Sequence, residues 1–213
     1  LFHRYFEERG GRAGAVKWID ARAVLVVEWG PLGPAVQWSE SHEKLAAAVP
    51  AGFDGTLIIT GFVASDRRGV QTTLGRNGSD YSASIFGALL GAREIHIWTD
   101  VDGVLSADPR RVPDATVIDS LSYNEAMELA YFGAKVIHPQ TMAPAVGRDI
   151  PIWIRNTFAP HKEGTLIITG FIASDGRGVQ TTLGRNGSDY SGFIFGALLE
   201  AREIHIWRDV GGV

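Results

Sequence analysis

The sequence predicts an α/β fold built on a mainly parallel sheet. Three observations predict it: strand-like and helix-like segments alternate, Thr56–Val63 is an apolar, β-branched run, and Ser122 with Glu125 forms a capping box. Strands that alternate with helices are typical of βαβ units, in which consecutive strands run parallel and helices cover the sheet.

Each element is predicted from its local pattern. Apolar and β-branched residues predict strands at Ala15–Ile19, Ala23–Glu28, Thr56–Val63, Glu94–Trp98 and Pro151–Arg155. Helical spacing and end signals predict helices at Leu1–Arg9, at Ser39–Ala48 with Ser39 as the cap, from Ser79 through Leu90, at Ala126–Phe132 with Gly133 as the stop, and at Pro139–Val146.

Composition excludes several classes of protein. A net charge of −4 over 213 residues argues against a protein that binds nucleic acid by broad phosphate neutralisation. The absence of cysteine excludes disulfides and thiolate metal sites, and no apolar run approaches the roughly 18–20 residues that cross a bilayer. The first residues, LFHRYFEERG, lack a signal-peptide pattern, so a cytoplasmic protein without nucleic-acid or membrane partners is expected.

A long internal repeat dominates the organisation of the chain. Gly55–Val104 recurs as Gly164–Val213 with seven differences in fifty positions. Solenoid repeats are shorter, more divergent and more numerous, so a recent duplication, a recombination event or engineering explains the pair better than a two-site architecture. Two segments are therefore predicted: residues 1–163, and residues 164–213 as a repeat of residues 55–104.

Both copies contain the stretch LGRNGSDYS, at Leu74–Ser82 and Leu183–Ser191. In the first copy, glycines on either side of Arg76 free the backbone, and the guanidinium can bind a carboxylate or phosphate through two hydrogen bonds. Ser79 and Asp80 begin a helix, where outward-pointing amides favour an anion. A purely structural interpretation, in which Ser79 caps the helix and Asp80 complements its dipole, is compatible with the same pattern. Neither standard nucleotide-binding fingerprint is present.

A second polar segment follows the strand predicted at Glu94–Trp98. WTDVDGVLSADPR places Asp100, Asp102 and Arg110 beyond the carboxyl end of that strand, where open parallel sheets bind ligands. Carboxylates there can hold the water shell of Mg²⁺ or nucleotide hydroxyls, and the arginine can contact phosphate. The alternative is a solvated Asp/Gly turn.

A lysine and several histidines complete the candidates. Lys135, in YFGAKVIHP, is either directed at phosphate or an ordinary surface lysine. His96 and His205 are expected on the core or face of a sheet, and His138 in a turn before a proline. The histidines show no ligand spacing, so no protein-built metal site is predicted.

Four segments together resemble aspartate kinase: LGRNGSDYSA, WTDVDGVLSADPR, SYNEAMELAYFGAKVIHP and IRNTFAPHKEGTLI. They occur in that family's order and approximate spacing through most of Gly55–Ile167, and the preceding segment is similar to members in bifunctional bacterial proteins. The resemblance implies the amino-acid-kinase fold, an αβα sandwich. It also implies transfer of the γ-phosphoryl group of ATP, with Mg²⁺, to the β-carboxylate of L-aspartate.

The resemblance also implies roles for individual residues. The catalytic positions that it implies, where aspartate meets the ATP phosphates, are Arg76, Ser79 and Asp80. The nucleotide-binding positions that it implies are Asn77, Gly78, Thr99, Asp100, Arg110, Lys135 and Val136. Leu105 stands where the family often has tyrosine.

Departures from the family shape the functional expectation. The family's Lys-Phe-Gly-Gly-Thr-Ser segment, with its catalytic lysine, and its substrate-binding glutamate have no counterpart in the sequence. We therefore expect a partial catalytic domain with little or no turnover. The alternative is a non-enzymatic recombined or engineered duplication product that self-associates. A homo-oligomer is expected, with strand exchange as one route, and the second copy is expected to be a loosely placed passenger.

Overall fold

The computed structural model describes residues 2–8, 15–31, 33–131, 138–168, 172–174 and 180–182. The chain divides into two compact units, Leu1–Gly91 and Ala92–Val213. The elements of the first unit are α1 (Phe2–Glu8), β1 (Ala15–Ile19), α2 (Ala21–Val24), β2 (Val27–Gly30), β3 (Gly33–Val36), α3 (Trp38–Ala48), β4 (Gly55–Ile59), β5 (Val63–Ser65), β6 (Gln71–Thr73) and α4 (Gly78–Leu90). Those of the second unit are β7 (Ile95–Thr99), β8 (Ser120–Ser122), α5 (Tyr123–Tyr131), α6 (Pro139–Val146), β9 (Ile152–Asn156), β10 (Thr165–Ile168), β11 (Ile172–Ser174) and β12 (Gln180–Thr182).

The first unit combines one parallel strand pair with two hairpins. β1 pairs with β4 in parallel, from Ala15 opposite Gly55 to Ile19 opposite Ile59. β2–β3 and β5–β6 are antiparallel hairpins. The core of this unit packs apolar side chains of α2, α3 and α4 against the strands, and its fully buried members include Leu25, Leu74 and Ile85. Removal of this apolar surface from water is the main stabilising contribution.

The second unit contains a four-stranded mixed sheet. Its strand order is β7-β9-β10-β8, with β7 parallel to β9, β10 parallel to β8, and β9 antiparallel to β10. Ile152, Ile154 and Ile167 are fully buried on this sheet. Tyr123 of α5 and Met142 of α6 are also buried. The short hairpin β11–β12 follows.

The first strand of the second repeat copy lies inside this sheet. β10 has neighbours on both sides, and Thr165, Leu166 and Ile167 are buried. The same residues in the first copy form β4, which is half-buried and pairs with β1. Identical sequence therefore occupies two different sheet positions. The division at residue 163 stays a prediction, since most of residues 164–213 lie outside the described part of the chain.

The fold class and several elements are confirmed. The chain is α/β with parallel strand pairs, and β1, α6 and β9 lie close to their predicted ranges. The capping box is also confirmed: the Ser122 amide donates to Glu125 Oε2 at 2.7 Å, and the Glu125 amide donates to Ser122 Oγ at 3.2 Å. The predicted stop Gly133 lies outside the described residues.

Three local predictions are wrong. The stretch predicted as a strand at Ala23–Glu28 begins inside α2, because Asp20 caps that short helix by accepting from the Arg22 amide at 3.0 Å. Thr56–Val63 divides into β4 and β5, since Gly61 and Phe62 form a turn with Phe62 at φ +73°. Ser39 lies inside α3, whose N-cap is Gln37. No helix in the described part of the chain is both long and apolar enough to cross a membrane.

Candidate active site

The LGRNGSDYS loop forms the entry to α4. Gly75 and Asn77 both have left-handed backbones, with φ of +74° and +54°, and the helix begins at Gly78. The Gly78 amide donates to the Gly75 carbonyl at 3.2 Å, which closes a tight turn. The turn leaves the Arg76 side chain exposed, and none of the described residues pairs with its guanidinium. An exposed cation that no described side chain pairs with therefore lies at a helix N-terminus, an arrangement that favours an anion.

Close packing requires a glycine at residue 78. A Cβ atom on this residue would lie 2.7 Å from Phe62 Cδ2 and 3.0 Å from Leu74 Cβ. Real Cβ atoms do not approach other heavy atoms so closely, so a larger residue would displace the Phe62 ring. The turn after β4 and the start of α4 are thus in direct contact.

Ser82 links the same two segments by hydrogen bonds. Its hydroxyl accepts from the Phe62 amide at 3.1 Å and donates to the Ser79 carbonyl at 2.8 Å. Ser82 is buried, and both bonds are partly shielded from water. The sequence predictions missed Phe62 and Ser82. A signal was available in Gly61, because a glycine inside a strand pattern indicates a bulge or an interruption of the strand.

The carboxylate of Asp80 lies in the first turn of α4 and is half-buried. Burial raises the pKa of the Asp80 carboxyl above its ordinary value. Burial disfavours the ionised form of this carboxyl, and no cation of the described residues offsets that effect. The structural interpretation of the loop, in which Ser79 caps the helix, is wrong. The N-cap is Asn77, and Ser79 is an exposed residue at the second position of the helix.

In the second unit, Thr99 and Asp100 lie together at the carboxyl end of β7. The Thr99 hydroxyl donates to Asp100 Oδ1 at 3.2 Å, and the Thr99 carbonyl accepts from the Thr157 amide at 2.8 Å. Asp100 is exposed. The end of the strand is therefore held by β9, while the Asp100 carboxylate keeps free acceptor capacity for a ligand.

Asp102 is held by two residues that the sequence predictions did not include. Asn156 Nδ2 donates to its Oδ1 at 2.6 Å, and Lys162 Nζ contacts its Oδ2 at 2.7 Å. The lysine, and then the asparagine, lower the pKa of the Asp102 carboxyl. Both partners lie within IRNTFAPHKEGTLI, the motif that carried part of the resemblance, which was the available signal.

Arg110 has a local partner. Its backbone amide and Nε both donate to Asp108 Oδ1 at 3.0 Å, and one terminal nitrogen contacts Oδ2 at 2.8 Å. This pairing lowers the pKa of the Asp108 carboxyl to about 2. The predicted phosphate contact of Arg110 would therefore require its guanidinium to share or leave Asp108.

The remaining candidates divide between surface positions and undescribed residues. His96 lies on the sheet face, as expected, where it stacks on Trp153 at 6.4 Å between ring centroids and contacts Glu94. The His138 carbonyl accepts from the Thr141 amide at 2.8 Å, at the start of α6. Lys135, Val136 and His205 lie outside the described residues. No cluster of three metal-binding side chains occurs in the described ranges.

The chain is similar to aspartokinases over most of its length. It is 48% identical over 157 residues to the bifunctional aspartokinase/homoserine dehydrogenase of Daucus carota, covering 72% of this chain and 17% of the relative. With the bifunctional enzyme of Haemophilus influenzae it shares 46% identity, covering 78% and 20%. With the lysine-sensitive aspartokinase 3 of Escherichia coli it shares 40%, covering 78% and 37%. The chain thus spans a minor part of each relative.

The chain is also similar to solved structures of aspartate kinases. Escherichia coli aspartokinase III in complex with aspartate and ADP matches with a TM-score of 0.71 and 30% identity, covering 98% of this chain and 49% of that chain. The aspartate kinase of Clostridium acetobutylicum matches with a TM-score of 0.63 and 37% identity, covering 72% and 34%. The amino acid kinase family itself matches over residues 1–156 and 159–213. The fold, the loop at the start of α4 and these matches agree: the chain belongs to the amino acid kinase family, and the relatives it resembles are aspartokinases.

Proposed function

We propose that the chain carries the substrate and nucleotide positions of an aspartate kinase, which transfers the γ-phosphoryl group of ATP to the β-carboxylate of L-aspartate. The observation that carries the proposal is the loop at the start of α4. There Arg76, whose guanidinium has no partner among the described residues, and the half-buried Asp80 flank the first amides of a helix. The aspartokinase relatives and the structure that holds aspartate and ADP support the choice of substrates.

The residues of the loop at the start of α4 have positions that fit specific roles in binding an anion. Arg76 would bind a carboxylate or phosphate through two charge-assisted hydrogen bonds. The exposed Ser79 hydroxyl and the amides of the first turn would donate to the same anion. Phosphoryl transfer depends mainly on positioning and charge neutralisation, so a rigid, cationic loop is suited to it. The contacts of Ser82 and Gly78 supply the rigidity.

Mg²⁺ is implied by this reaction, and the carboxylates of the chain fit a metal that arrives with the nucleotide. In the second unit, Asp102 and Asp108 are engaged by basic side chains, whereas no basic side chain of the described residues engages the exposed Asp100. Mg²⁺ in kinases takes one or two carboxylates together with phosphate oxygens and water, and needs no all-protein cage. When bound, it would supply neutralisation of phosphate charge. Thr99 and Asp100 would contact the nucleotide, and roles for Asn77, Gly78, Arg110, Lys135 and Val136 are part of the same proposal.

Low turnover belongs to the proposal as well. The sequence contains no Lys-Phe-Gly-Gly segment, so we expect the chain to bind its ligands and to release ADP slowly or not at all. A cytoplasmic location and self-association are likewise proposed. The absence of both Mg-ATP and aspartate binding by the folded chain would favour the non-enzymatic alternative.

The duplication offers a matched control for the test. Arg76 and Arg185 occupy equivalent positions in the two copies. We expect Arg76→Ala to weaken aspartate binding about 10- to 100-fold, because hydrogen bonds to charged groups contribute about 1.5–3 kcal/mol, and Arg185→Ala to leave binding unchanged. Isothermal titration calorimetry with aspartate and Mg-ATP, together with a coupled ADP-release assay, provides the measurement. Equal effects of the two substitutions, or no binding by a folded wild-type chain, would refute the proposal.

A further inference from the structure

A buried hydroxyl of the second repeat copy contacts the polar loop of the first copy. Thr165 is fully buried in β10, and its Oγ1 accepts a hydrogen bond from the Val104 amide at 2.8 Å. Val104 is the last residue of Asp100–Val104, which we call the nucleotide loop. The bond spans a long stretch of sequence and joins this loop directly to an interior strand.

The backbone beside this bond leaves no free space. A Cβ atom on Gly103 would lie 2.5 Å from Thr165 Oγ1 and 2.8 Å from Val117 Cγ1. The Val104 carbonyl in turn accepts from the Ile118 amide at 2.8 Å. The main chain at the end of the nucleotide loop is therefore held between β10 on one side and the segment around Val117 on the other.

The other hydrogen bonds and the ion pair that hold the nucleotide loop differ from the Thr165 bond in their exposure to water. At its beginning, the Thr157 amide holds the Thr99 carbonyl. In its middle, the partially exposed Asp102 carboxylate binds Asn156 and Lys162, and exposed ion pairs contribute little because water screens them. The Thr165 bond is the shielded one, and an amide left unpaired there would pay the full cost of its desolvation.

We infer that Thr165 is a positioning residue for the nucleotide loop, so that the first strand of the second copy helps to hold the nucleotide site of the first. The inference rests on the proposed function for its ligand, Mg-ATP. The equivalent threonine of the first copy, Thr56, lies on half-buried β4 opposite Val16, and its side chain has no hydrogen bond to any described residue. The two threonines have the same neighbours in sequence, yet only Thr165 has a positioning role.

Substitutions at the two threonines test the inference. Thr165→Val keeps the shape of the side chain and removes the acceptor, Thr165→Ser keeps the acceptor, and Thr56→Val is the matched control. Amide hydrogen exchange of the full chain, without ligand, should show exchange at Val104 at least about tenfold faster in Thr165→Val, and unchanged in Thr165→Ser and Thr56→Val. The fragments that carry the loop in the two copies differ in mass, because Thr99 and Asp102 correspond to Arg208 and Gly211.

Calorimetry with Mg-ATP and with aspartate supplies the functional readout. We expect Thr165→Val to raise the dissociation constant of Mg-ATP about tenfold with little change for aspartate, and Thr165→Ser to restore it. Unchanged exchange at Val104 in a folded Thr165→Val chain overturns the inference, as does equal weakening of both ligands. An unfolded Thr165→Val chain beside a folded Thr56→Val chain also overturns it, in favour of a general structural role. Absence of Mg-ATP binding in the wild type overturns the proposed function instead, and the exchange result still decides whether Thr165 positions the loop.

Discussion

Truncation of one isoleucine in each copy of the repeat measures how differently the two copies are used. Ile167 is fully buried on β10, opposite Leu121 on one side and Ile152 on the other. Ile58 is its equivalent on β4, half-buried and opposite Trp18. The same substitution to alanine can therefore be compared at two positions with the same local sequence.

The expected magnitudes follow from burial. Isoleucine to alanine in a core costs about 2–5 kcal/mol, which includes the lost transfer free energy and the cavity left behind. At Ile167, β10 has strand neighbours on both sides, so the site has little freedom to collapse and we expect about 3–4 kcal/mol. At Ile58 only part of the side chain leaves water, so about 1–2 kcal/mol is expected.

Urea unfolding followed by far-ultraviolet circular dichroism gives the change in the free energy of unfolding. Because the chain has two units, hydrogen exchange with mass spectrometry should accompany it, and Ile167→Ala should accelerate exchange in β8 and β9 while β1 is unaffected. A loss at Ile58 equal to or larger than that at Ile167 would refute the assignment of β10 to an interior position. A loss below about 1 kcal/mol at Ile167 would do the same.

Three further predictions concern single side chains. Ser82→Ala should cost about 1–3 kcal/mol in urea unfolding, because it leaves the Phe62 amide unpaired; a neutral result would contradict the proposed link. Asp80→Asn should stabilise the fold at pH 7, because burial raises the pKa of the Asp80 carboxyl, so ionisation costs stability as pH rises through that value; an equal gain at pH 3, where Asp80 is protonated in both states, would contradict this. Ser122→Ala should cost about 1 kcal/mol in thermal unfolding through loss of the bonds to Glu125, whereas no change would show the box to be dispensable.

The sequence predicted best where the determining interactions are local. Ser122 and Glu125 are three residues apart and satisfy each other, so the pair predicts a helix start without any tertiary information. The turn that precedes α4 likewise follows from Gly75 and from the helix pattern after it, whereas the site roles of Arg76–Asp80 stay predictions. Even there, the exact first residue of the helix was wrong by one position, because Asn77 adopts a left-handed conformation and becomes the cap.

The sequence predicted least where partners come from distant segments. Nothing near Ser82 indicates that its hydroxyl binds Phe62, and nothing near Asp102 indicates Asn156 or Lys162 as partners. The division of Thr56–Val63 into two strands depends on the same contact, since Phe62 turns where it packs on the start of α4. Each of these features needed the tertiary fold.

The repeat is the clearest case of a feature that local sequence cannot predict, since identical residues form β4 in one unit and β10 in the other. Neighbouring strands, not the shared residues themselves, decide which sheet they join. One of the seven differences between the copies also opposes free exchange of one copy for the other. Ser84 is completely buried in α4 and its hydroxyl has no hydrogen-bond partner among the described residues, yet the second copy has Phe193 at this position. A phenylalanine could not enter a close-packed site of that size without displacing its neighbours. The first strand of the second copy, β10, is therefore part of the sheet of the second unit, and Phe193 makes the second copy unsuited to replace α4 in the first.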